Sequence, residues 1–229
     1  MNSKEKENSQ DSGNFLRVKT QKGVTLAFDQ AYTLDLHPKS YLLPFKYAEK
    51  TNCVIFDFDA GGLVTLERAL ETPISFEQFF RLLNIVNNVM DLIIDGQFEL
   101  VNVEFDPKKI YLDVNFNSKL MYLCVKGKTK SEFGVEQFVS YLVKNVKFAR
   151  SSDASVLKEV KDYLALQRAF SFYKFARFVD ELSKKHKVLD YSYLADEQRN
   201  LNLADVSRNT PGLYSFVNLG LKKGVSSGE

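Results

Sequence analysis

The clearest pattern in the chain is the helical spacing of apolar residues between positions 75 and 96. The apolar residues that recur at this spacing are Phe76, Phe79, Phe80, Leu83, Val86, Met90 and Ile93. Steps of three and four are typical of an amphipathic helix with a broad buried face. Ser75 and Gln78 have the spacing of a capping box, and Gly96 can adopt the left-handed conformation that ends many helices. We therefore predict a central helix over residues 75–96.

Shorter apolar stretches ahead of this helix predict β-strands. The predicted strands are residues 15–20, 24–29, 40–49 and 53–59. The first two are expected to pair as a hairpin across residues 21–23, where a glycine is available for positive φ. Pro44 lacks an N–H donor, which places the third strand at a sheet edge or a bulge. The glycine pair at residues 61–62 then permits a flexible joint, and a short helix is expected at residues 63–70.

The stretch after the central helix predicts a small β-hairpin. Ile110 and Leu112 alternate with more polar neighbours, as in a half-buried strand. Residues 115–118 supply turn chemistry. The continuously apolar residues 120–125 predict a buried strand.

Three further helices are predicted between residues 133 and 187. Their inward-facing residues are Val135, Phe138, Leu142 and Val146 in the first, Val156, Val160 and Leu164 in the second, and Phe175, Phe178, Val179 and Leu182 in the third. Ser152 or Asp153 is expected to cap the second helix, and Ser171 is expected to start the third.

The order of strands, joint, central helix, hairpin and helices predicts an α+β fold in two lobes. The predicted divisions are a disordered tail at residues 1–14, a β-rich N-lobe at 15–62, a mainly helical C-lobe with a small β-hairpin at 63–187, and an irregular C-terminal extension at 188–229. The tail is almost entirely polar, and the apolar periodicity is lost after residue 187.

Charge is unevenly distributed along the chain, although the formal net charge is only +2. Residues 126–187 contain 14 basic residues against 7 acidic ones, whereas residues 1–125 contain 13 against 17. The basic residues are spread over predicted helices, which favours an ordinary solvated surface. A basic surface that binds nucleic acid or membrane is the alternative, but the region has no recognised nucleic-acid-binding motif.

The two cysteines and two histidines have no spacing typical of disulfide or metal chemistry. Cys53 and Cys124 lie in apolar, strand-like stretches and are expected to be buried thiols, while His37 and His186 are far apart in sequence. The first fourteen residues do not resemble a signal peptide, and no apolar run approaches the roughly 18 residues that span a bilayer. We therefore expect a reduced, cytoplasmic setting and no transmembrane segment.

Four features of residues 35–185 carry a family resemblance. They are the sequence YLLPF at residues 41–45, the Phe- and Leu-rich helix, the pattern D-P-x-x-I-Y-L-D at residues 106–113 and the apolar strand that follows. With these features the chain resembles a bacterial domain of unknown function that usually precedes a forkhead-associated (FHA) domain in Gram-positive proteins. That domain is similar in turn to the pseudokinase-like cytoplasmic domain of the type VII secretion component EssB, also called YukC. The resemblance implies a degenerate, two-lobed protein-kinase-like fold.

The residues that a kinase needs for phosphoryl transfer are absent from the matching positions. A kinase uses a catalytic Asp preceded by His-Arg, a magnesium-binding Asn and an Asp-Phe-Gly motif. Here residues 103–105 read Val-Glu-Phe ahead of Asp106. Lys108 and Lys109 stand where the Asn is expected, and residues 123–125 read Leu-Cys-Val in place of Asp-Phe-Gly.

The remaining charged candidates each have a structural interpretation, which we favour. Asp106 has the position of an Asp-Pro turn residue rather than that of a general base. Asp57 and Asp59 resemble a pair of catalytic carboxylates, yet alternation places them on the exposed face of one strand. The lysine pair after Asp106 could contact an anion but suits a solvated turn. Lys46 could mimic the strand lysine of kinases, although a lysine in a strand is common.

The missing kinase motifs predict a non-catalytic, pseudokinase-like protein-interaction module, and the resemblance implies that it belongs to a bacterial signalling or type VII secretion-related assembly. The expected partners are proteins, including FHA-domain or secretion-system proteins. No catalytic, cofactor-binding or metal-binding residue is assigned. An atypical nucleotide-binding phosphotransferase and a basic-surface binder of nucleic acid or membrane are the alternatives.

Overall fold

A computed structural model of the protein describes residues 15–94, 96–128 and 133–188. This part of the chain contains helices and antiparallel strands, so the predicted α+β class is confirmed. The predicted tail at residues 1–14 lies outside the described residues. So does the predicted extension at 188–229, except for its first residue.

The elements follow one another in a mixed order. The strands are β1 (Phe15–Lys19), β2 (Thr25–Leu26), β3 (Phe45–Lys50), β4 (Cys53–Asp59), β5 (Val64–Thr65), β6 (Tyr111–Leu112), β7 (Ser118–Lys119) and β8 (Val125–Lys126). The helices are α1 (Phe28–Leu36), α2 (Leu66–Ala69), α3 (Phe76–Leu83), α4 (Ile85–Ile94), α5 (Val135–Asn145), α6 (Ser155–Leu166) and α7 (Phe172–Lys185). Short 3₁₀ turns cover Leu100–Asn102 and Ser151–Ala154.

The largest sheet has the strand order β1-β4-β3, and both of its pairings are antiparallel. The central strand β4 buries Phe56 and Phe58 completely, while Asp57 and Asp59 between and beyond them face outward. The predicted alternation in this strand is therefore confirmed. Pro44 directly precedes the edge strand β3, as its missing N–H donor requires.

The predicted hairpin between residues 15–20 and 24–29 is wrong. Strand β1 pairs with β4, and the two residues of β2 pair with β8 near position 125. Gly23 does turn the chain, with φ +84°, but the segments on its two sides pair with different strands. Residues 28–36 form helix α1; the second predicted strand covers only Phe28 and Asp29 of it, and residues 30–36 lie outside the predicted elements. Its inner face buries Ala31 and Leu34, which are spaced three apart as in a helix.

The predicted central helix exists but is interrupted at one residue. The Ser75–Gln78 capping box is present in both directions, and Gly96 follows the helical region with φ +71°, so both predicted ends are confirmed. Asn84 separates α3 from α4; its side-chain oxygen accepts a hydrogen bond from the Asn87 amide at 3.2 Å. Such local side-chain bonding lowers the helix propensity of asparagine.

The predicted hairpin near residue 112 is confirmed as β6 paired with β7. Asp113 organises its turn, because its carboxylate accepts hydrogen bonds from the backbone N–H groups of Asn115 and Asn117, each at 2.9 Å. The predicted strand over residues 120–125 is buried throughout but is only partly a strand. It forms isolated bridges, Leu42 with Leu120 and Val103 with Tyr122, before β8 begins.

The three later helices lie where the apolar spacing predicts them. They bury most of the predicted inward residues, with Leu164 and Phe178 only half-buried. The predicted Ser152 or Asp153 cap of α6 is wrong, because a 3₁₀ turn leads into that helix without a side-chain cap. Ser171 is the residue at which α7 starts, as predicted, although its hydroxyl makes no capping hydrogen bond. Packing of an apolar face outweighs capping in these helices.

The hydrophobic core is continuous among the described residues and runs from Ala31 in α1 to Leu182 in α7. Leu83 lies inside it and is completely buried. We expect Leu83→Ala, like Phe80→Ala, to lower the free energy of unfolding by about 2–5 kcal/mol, because each substitution leaves a cavity.

Urea denaturation measures this loss of stability. The matched control is Val114→Ala, since the Val114 side chain is 95% exposed in the β6–β7 turn and its removal should change stability by less than about 0.5 kcal/mol. Wild-type stability in the Leu83 variant would contradict the assignment of a buried central helix.

Candidate functional site

The turn that carries the D-P-x-x-I-Y-L-D pattern is stabilised by hydrogen bonds among its own residues. The Asp106 carboxylate accepts a hydrogen bond from the Lys108 backbone N–H at 3.0 Å, and the Asp106 carbonyl accepts from Lys109 and Ile110. Ile110 is fully buried and directly precedes β6. The structural interpretation of Asp106 as a turn residue is supported by these bonds.

Glu104, two residues before Asp106, is the most enclosed carboxylate of this region. Its side chain is 14% exposed and lies 2.6 Å from the Lys128 ammonium and 3.5 Å from that of Lys109. Burial alone would raise the pKa of Glu104, but the hydrogen bond and charge of Lys128, with Lys109, outweigh it and lower the pKa. Glu104 is therefore an ionised carboxylate held between two lysines.

A buried hydrogen-bond network centres on Tyr122, whose backbone pairs with that of Val103 just before this turn. The Tyr122 hydroxyl donates to the Gln30 side-chain oxygen at 3.0 Å and accepts from the Glu99 backbone N–H at 3.0 Å. The Gln30 amide donates in turn to the Gln97 carbonyl at 2.7 Å. Desolvation raises the pKa of Tyr122 to about 12, so the hydroxyl remains protonated at neutral pH.

Asn102 connects this network to the chain that enters β8. Its side-chain amide donates to the Val125 carbonyl at 2.8 Å, and its backbone carbonyl accepts from Leu123 at 2.9 Å. The same amide lies 3.5 Å from the Tyr122 hydroxyl. The Asn102 side-chain oxygen is buried and has no hydrogen-bond partner among the described residues. A buried acceptor without a partner lowers the stability of the fold, and the hydrogen bonds of the Asn102 amide offset this loss.

The network holds helix α1 by its inner face and leaves its outer face in solvent. Gln30 on the inner face is only 7% exposed. On the outer face Phe28, Tyr32 and Leu36 are each more than half exposed, and the Phe28 and Tyr32 rings stack with centroids 6.2 Å apart. Of these three residues only Phe28 falls within a predicted element, the second strand, whereas Tyr32 and Leu36 lie outside the elements that the sequence predicts.

The structure places the other charged candidates apart from this network. Asp57 accepts two hydrogen bonds from the Arg17 guanidinium, at 2.7 and 2.9 Å, and Asp59 accepts from the Gly61 backbone N–H at 3.0 Å. The Lys46 ammonium lies over the Phe15 ring, 5.9 Å from its centroid. Each of these charged groups contacts a residue of its own region, and the structure does not bring Asp57 or Lys46 together with Asp106 in a shared site.

The two cysteines are buried, and His186 contacts a carboxylate and an aromatic ring. Cys53 and Cys124 are buried free thiols, as predicted, and burial strongly raises the pKa of Cys124. His186 lies 2.9 Å from the Glu159 carboxylate and packs against the ring of Phe76. Within residues 15–94, 96–128 and 133–188, no cluster of three His, Cys, Asp or Glu side chains could hold a metal ion.

Several basic residues of the 126–187 region are engaged in ion pairs. The pairs are Lys126 with Asp29, Lys128 with Glu104, Arg177 with Glu181, Lys184 with Asp180 and Lys185 with Glu159, at 2.6–3.8 Å. Most of these side chains are exposed, so each pair contributes little to stability. The pairs nevertheless reduce the charge that this surface presents to a polyanion.

A surface cavity of about 430 Å³ lies beside the start of α3. Its lining includes Ser75, Glu77 and Arg150. A hydrogen bond from its own backbone N–H lowers the pKa of Glu77, assisted by the Ser75 hydroxyl. The anion-binding end of α3 is thus already occupied by a carboxylate of the same helix.

No protein-family model and no curated protein matches this chain. Among the described residues, none of the helices combines the length and apolar character needed to cross a lipid bilayer.

Removing the Tyr122 hydroxyl tests the buried network. We expect Tyr122→Phe to lower the free energy of unfolding by about 1–3 kcal/mol, because the Gln30 oxygen and the Glu99 N–H lose their buried partner. Chemical denaturation measures the change. Tyr173→Phe is the matched control, since the Tyr173 side chain is 63% exposed, and it should leave stability unchanged. Equal stability of both variants would contradict the network.

Acid titration tests the ion pairs of Glu104. Because the folded pKa of Glu104 lies below its ordinary value of 4.5, the stabilisation is fully present above that value and is lost as the pH falls through the lowered folded pKa. We expect Glu104→Gln to cost about 1.5–3 kcal/mol at neutral pH and to flatten the decline in stability below pH 4.5.

The control for the Glu104 variant is Asp106→Asn. It retains the side-chain oxygen that accepts from Lys108 and should keep the wild-type stability at neutral pH. Urea unfolding over an acid pH series measures all three proteins. An acid decline in Glu104→Gln as steep as that of the wild type would show that the lysines do not stabilise the carboxylate.

Proposed function

We propose that this chain is a non-catalytic, pseudokinase-like protein-interaction module of a bacterial signalling or type VII secretion-related assembly. The observation that carries the proposal is the pairing of Glu104 with Lys109 and Lys128 in the segment that resembles a kinase catalytic loop. The polar side chains of this segment stabilise the protein's own fold instead of facing a substrate.

The chemistry of phosphoryl transfer explains why this pairing matters. A kinase site must offer carboxylate and amide oxygens to magnesium ions that bridge the phosphates of the nucleotide. Here the enclosed carboxylate of this segment, Glu104, is neutralised by the ammonium groups of Lys109 and Lys128, and these would repel a divalent cation. Tyr122, whose backbone pairs with that of Val103 just before Glu104, is protonated and lies at the centre of a buried hydrogen-bond network.

The order of elements supports the kinase-like part of the proposal. A β-rich start with one helix between its strands is followed by a short helix, a long interrupted helix, a small hairpin and further helices. β5, which follows the Gly61–Gly62 turn, pairs with β6 of the hairpin. The link to FHA-domain or secretion proteins rests on the sequence resemblance of residues 35–185.

Differential scanning fluorimetry with ATP and magnesium distinguishes the proposal from an atypical phosphotransferase. A ligand that binds only the folded state adds RT ln(1 + [L]/Kd) to stability, about 2.7 kcal/mol at a hundredfold excess over Kd. We expect no change in melting temperature at millimolar ATP and magnesium.

The controls for this experiment are magnesium alone, ADP with magnesium, and the Lys109→Asn variant. An increase of several degrees with ATP and magnesium that magnesium alone does not reproduce would overturn the non-catalytic proposal and favour the phosphotransferase. Lys109→Asn removes one ammonium group from Glu104, so a nucleotide response that appears only in this variant would show that the lysine blocks metal binding.

A further inference from the structure

Helix α1 presents an apolar stripe that no described part of the chain covers. A helix advances about 100° per residue, so Phe28, Tyr32 and Leu36, each four residues apart, lie within an arc of about 80°. Their exposed fractions are 59%, 54% and 53%. An amphipathic surface helix normally directs such residues inward, and here Ala31 and Leu34 already fill that role. The stripe is therefore a second apolar face on the same helix.

The helix is held firmly enough to act as a binding platform. Gln30 on its inner face is bonded to Tyr122 and to the Gln97 carbonyl, both from a different part of the fold. The Ala27 N–H just before the helix donates to the Cys124 carbonyl at 2.8 Å. A partner that binds a preformed helix loses less conformational entropy than one that must order it.

Two carboxylates border the apolar stripe, one on each side. On the helical wheel Asp29 lies about 20° beyond Leu36, and Asp35 lies about 20° beyond Phe28 on the opposite edge. Asp29 has the Lys126 ammonium 3.6 Å away, in an exposed pair. Asp35 is half-buried and forms no ion pair with any described residue, and burial raises its pKa. A half-buried carboxylate without a cation gains from a basic group supplied by a partner.

We propose that the outer face of α1 binds an amphipathic helical segment of another protein, whose apolar face is bordered by lysine or arginine. This inference rests on the proposed function of the chain as a protein-interaction module. The partner's apolar side chains would cover Phe28, Tyr32 and Leu36, and its basic side chains would reach Asp29 and Asp35. This is the helix-on-helix mode of recognition through positions spaced three and four apart.

The charge of α1 disfavours the packing of two copies of this chain through the same helix. Residues 28–36 contain two aspartates and no basic residue. Two copies of α1 packed through their stripes would bring four carboxylates to the rim of one contact. Like charges at the rim of an interface oppose association.

Site-specific photo-crosslinking in the producing cell tests the inference. The probe is p-benzoylphenylalanine placed at position 32 of the full chain, with positions 114 and 173 as controls, because Val114 and Tyr173 are also exposed but lie outside α1. We expect position 32 to give a discrete adduct with another protein and position 114 to give none. Mass spectrometry then locates the crosslinked segment, which we expect to have apolar residues at helical spacing between basic residues.

The crosslinked segment, prepared as a labelled synthetic peptide, provides the binding measurement. Fluorescence anisotropy should show at least about tenfold weaker binding to Tyr32→Ser and to Asp35→Lys than to the wild type, and unchanged binding to Val114→Ser. A peptide with glutamate in place of its basic residues should recover affinity for Asp35→Lys, because the charges are then complementary. Thermal melting confirms that each surface variant is folded.

Several outcomes would overturn the inference. They are an adduct at position 32 with only a second copy of this chain, the absence of a discrete adduct there, or a crosslinked segment without basic borders. If position 173 captures a partner while position 32 does not, the α1 inference fails and the interaction-module proposal stands. A nucleotide-dependent rise in melting temperature contradicts the proposed function by itself, independently of the crosslinking result.

Discussion

The need to satisfy buried polar groups around Tyr122 is the constraint on which the arrangement of this protein depends. A hydroxyl taken out of water costs free energy unless it finds partners, and Tyr122 finds them in Gln30 and the backbone of Glu99. These partners come from segments about 92 and 23 residues away. The network therefore joins helix α1 to the chain around the small hairpin, and the buried Ala31 and Leu34 add apolar contacts that hold the same face of the helix.

Charge in the neighbouring turn follows the same logic. Glu104 is enclosed, and its carboxylate is tolerated because Lys128 and Lys109 neutralise it. A group used in this way is not free to act as a base or to bind a cation. The Glu104 ion pairs and the Tyr122 network stabilise the fold. The outer face of α1, in contrast, exposes aromatic rings between carboxylates. We infer that recognition, rather than catalysis, is what this surface offers.

Local sequence rules predicted the features that depend on neighbouring residues. The Ser75–Gln78 capping box, the left-handed Gly96 and the buried alternation in β4 all follow from residues within a few positions of one another. Strand pairing does not follow from such local residues, because β1 pairs with β4, about 40 residues away, and not with the segment next to it in sequence. Helix α1 was missed for a related reason: apolar residues on both its faces hide the period that marks a helix.

Composition, periodicity and residue identity were enough to predict the α+β class, the positions of the later helices and the absence of kinase motifs. Which polar groups meet depends instead on how distant segments pack. Nothing in the spacing of residues 30, 102 and 122 indicates a shared hydrogen-bond network, and nothing near residue 104 indicates that Lys128 neutralises it. Such contacts arise only when the core closes, since burial is what makes each polar group require a particular partner.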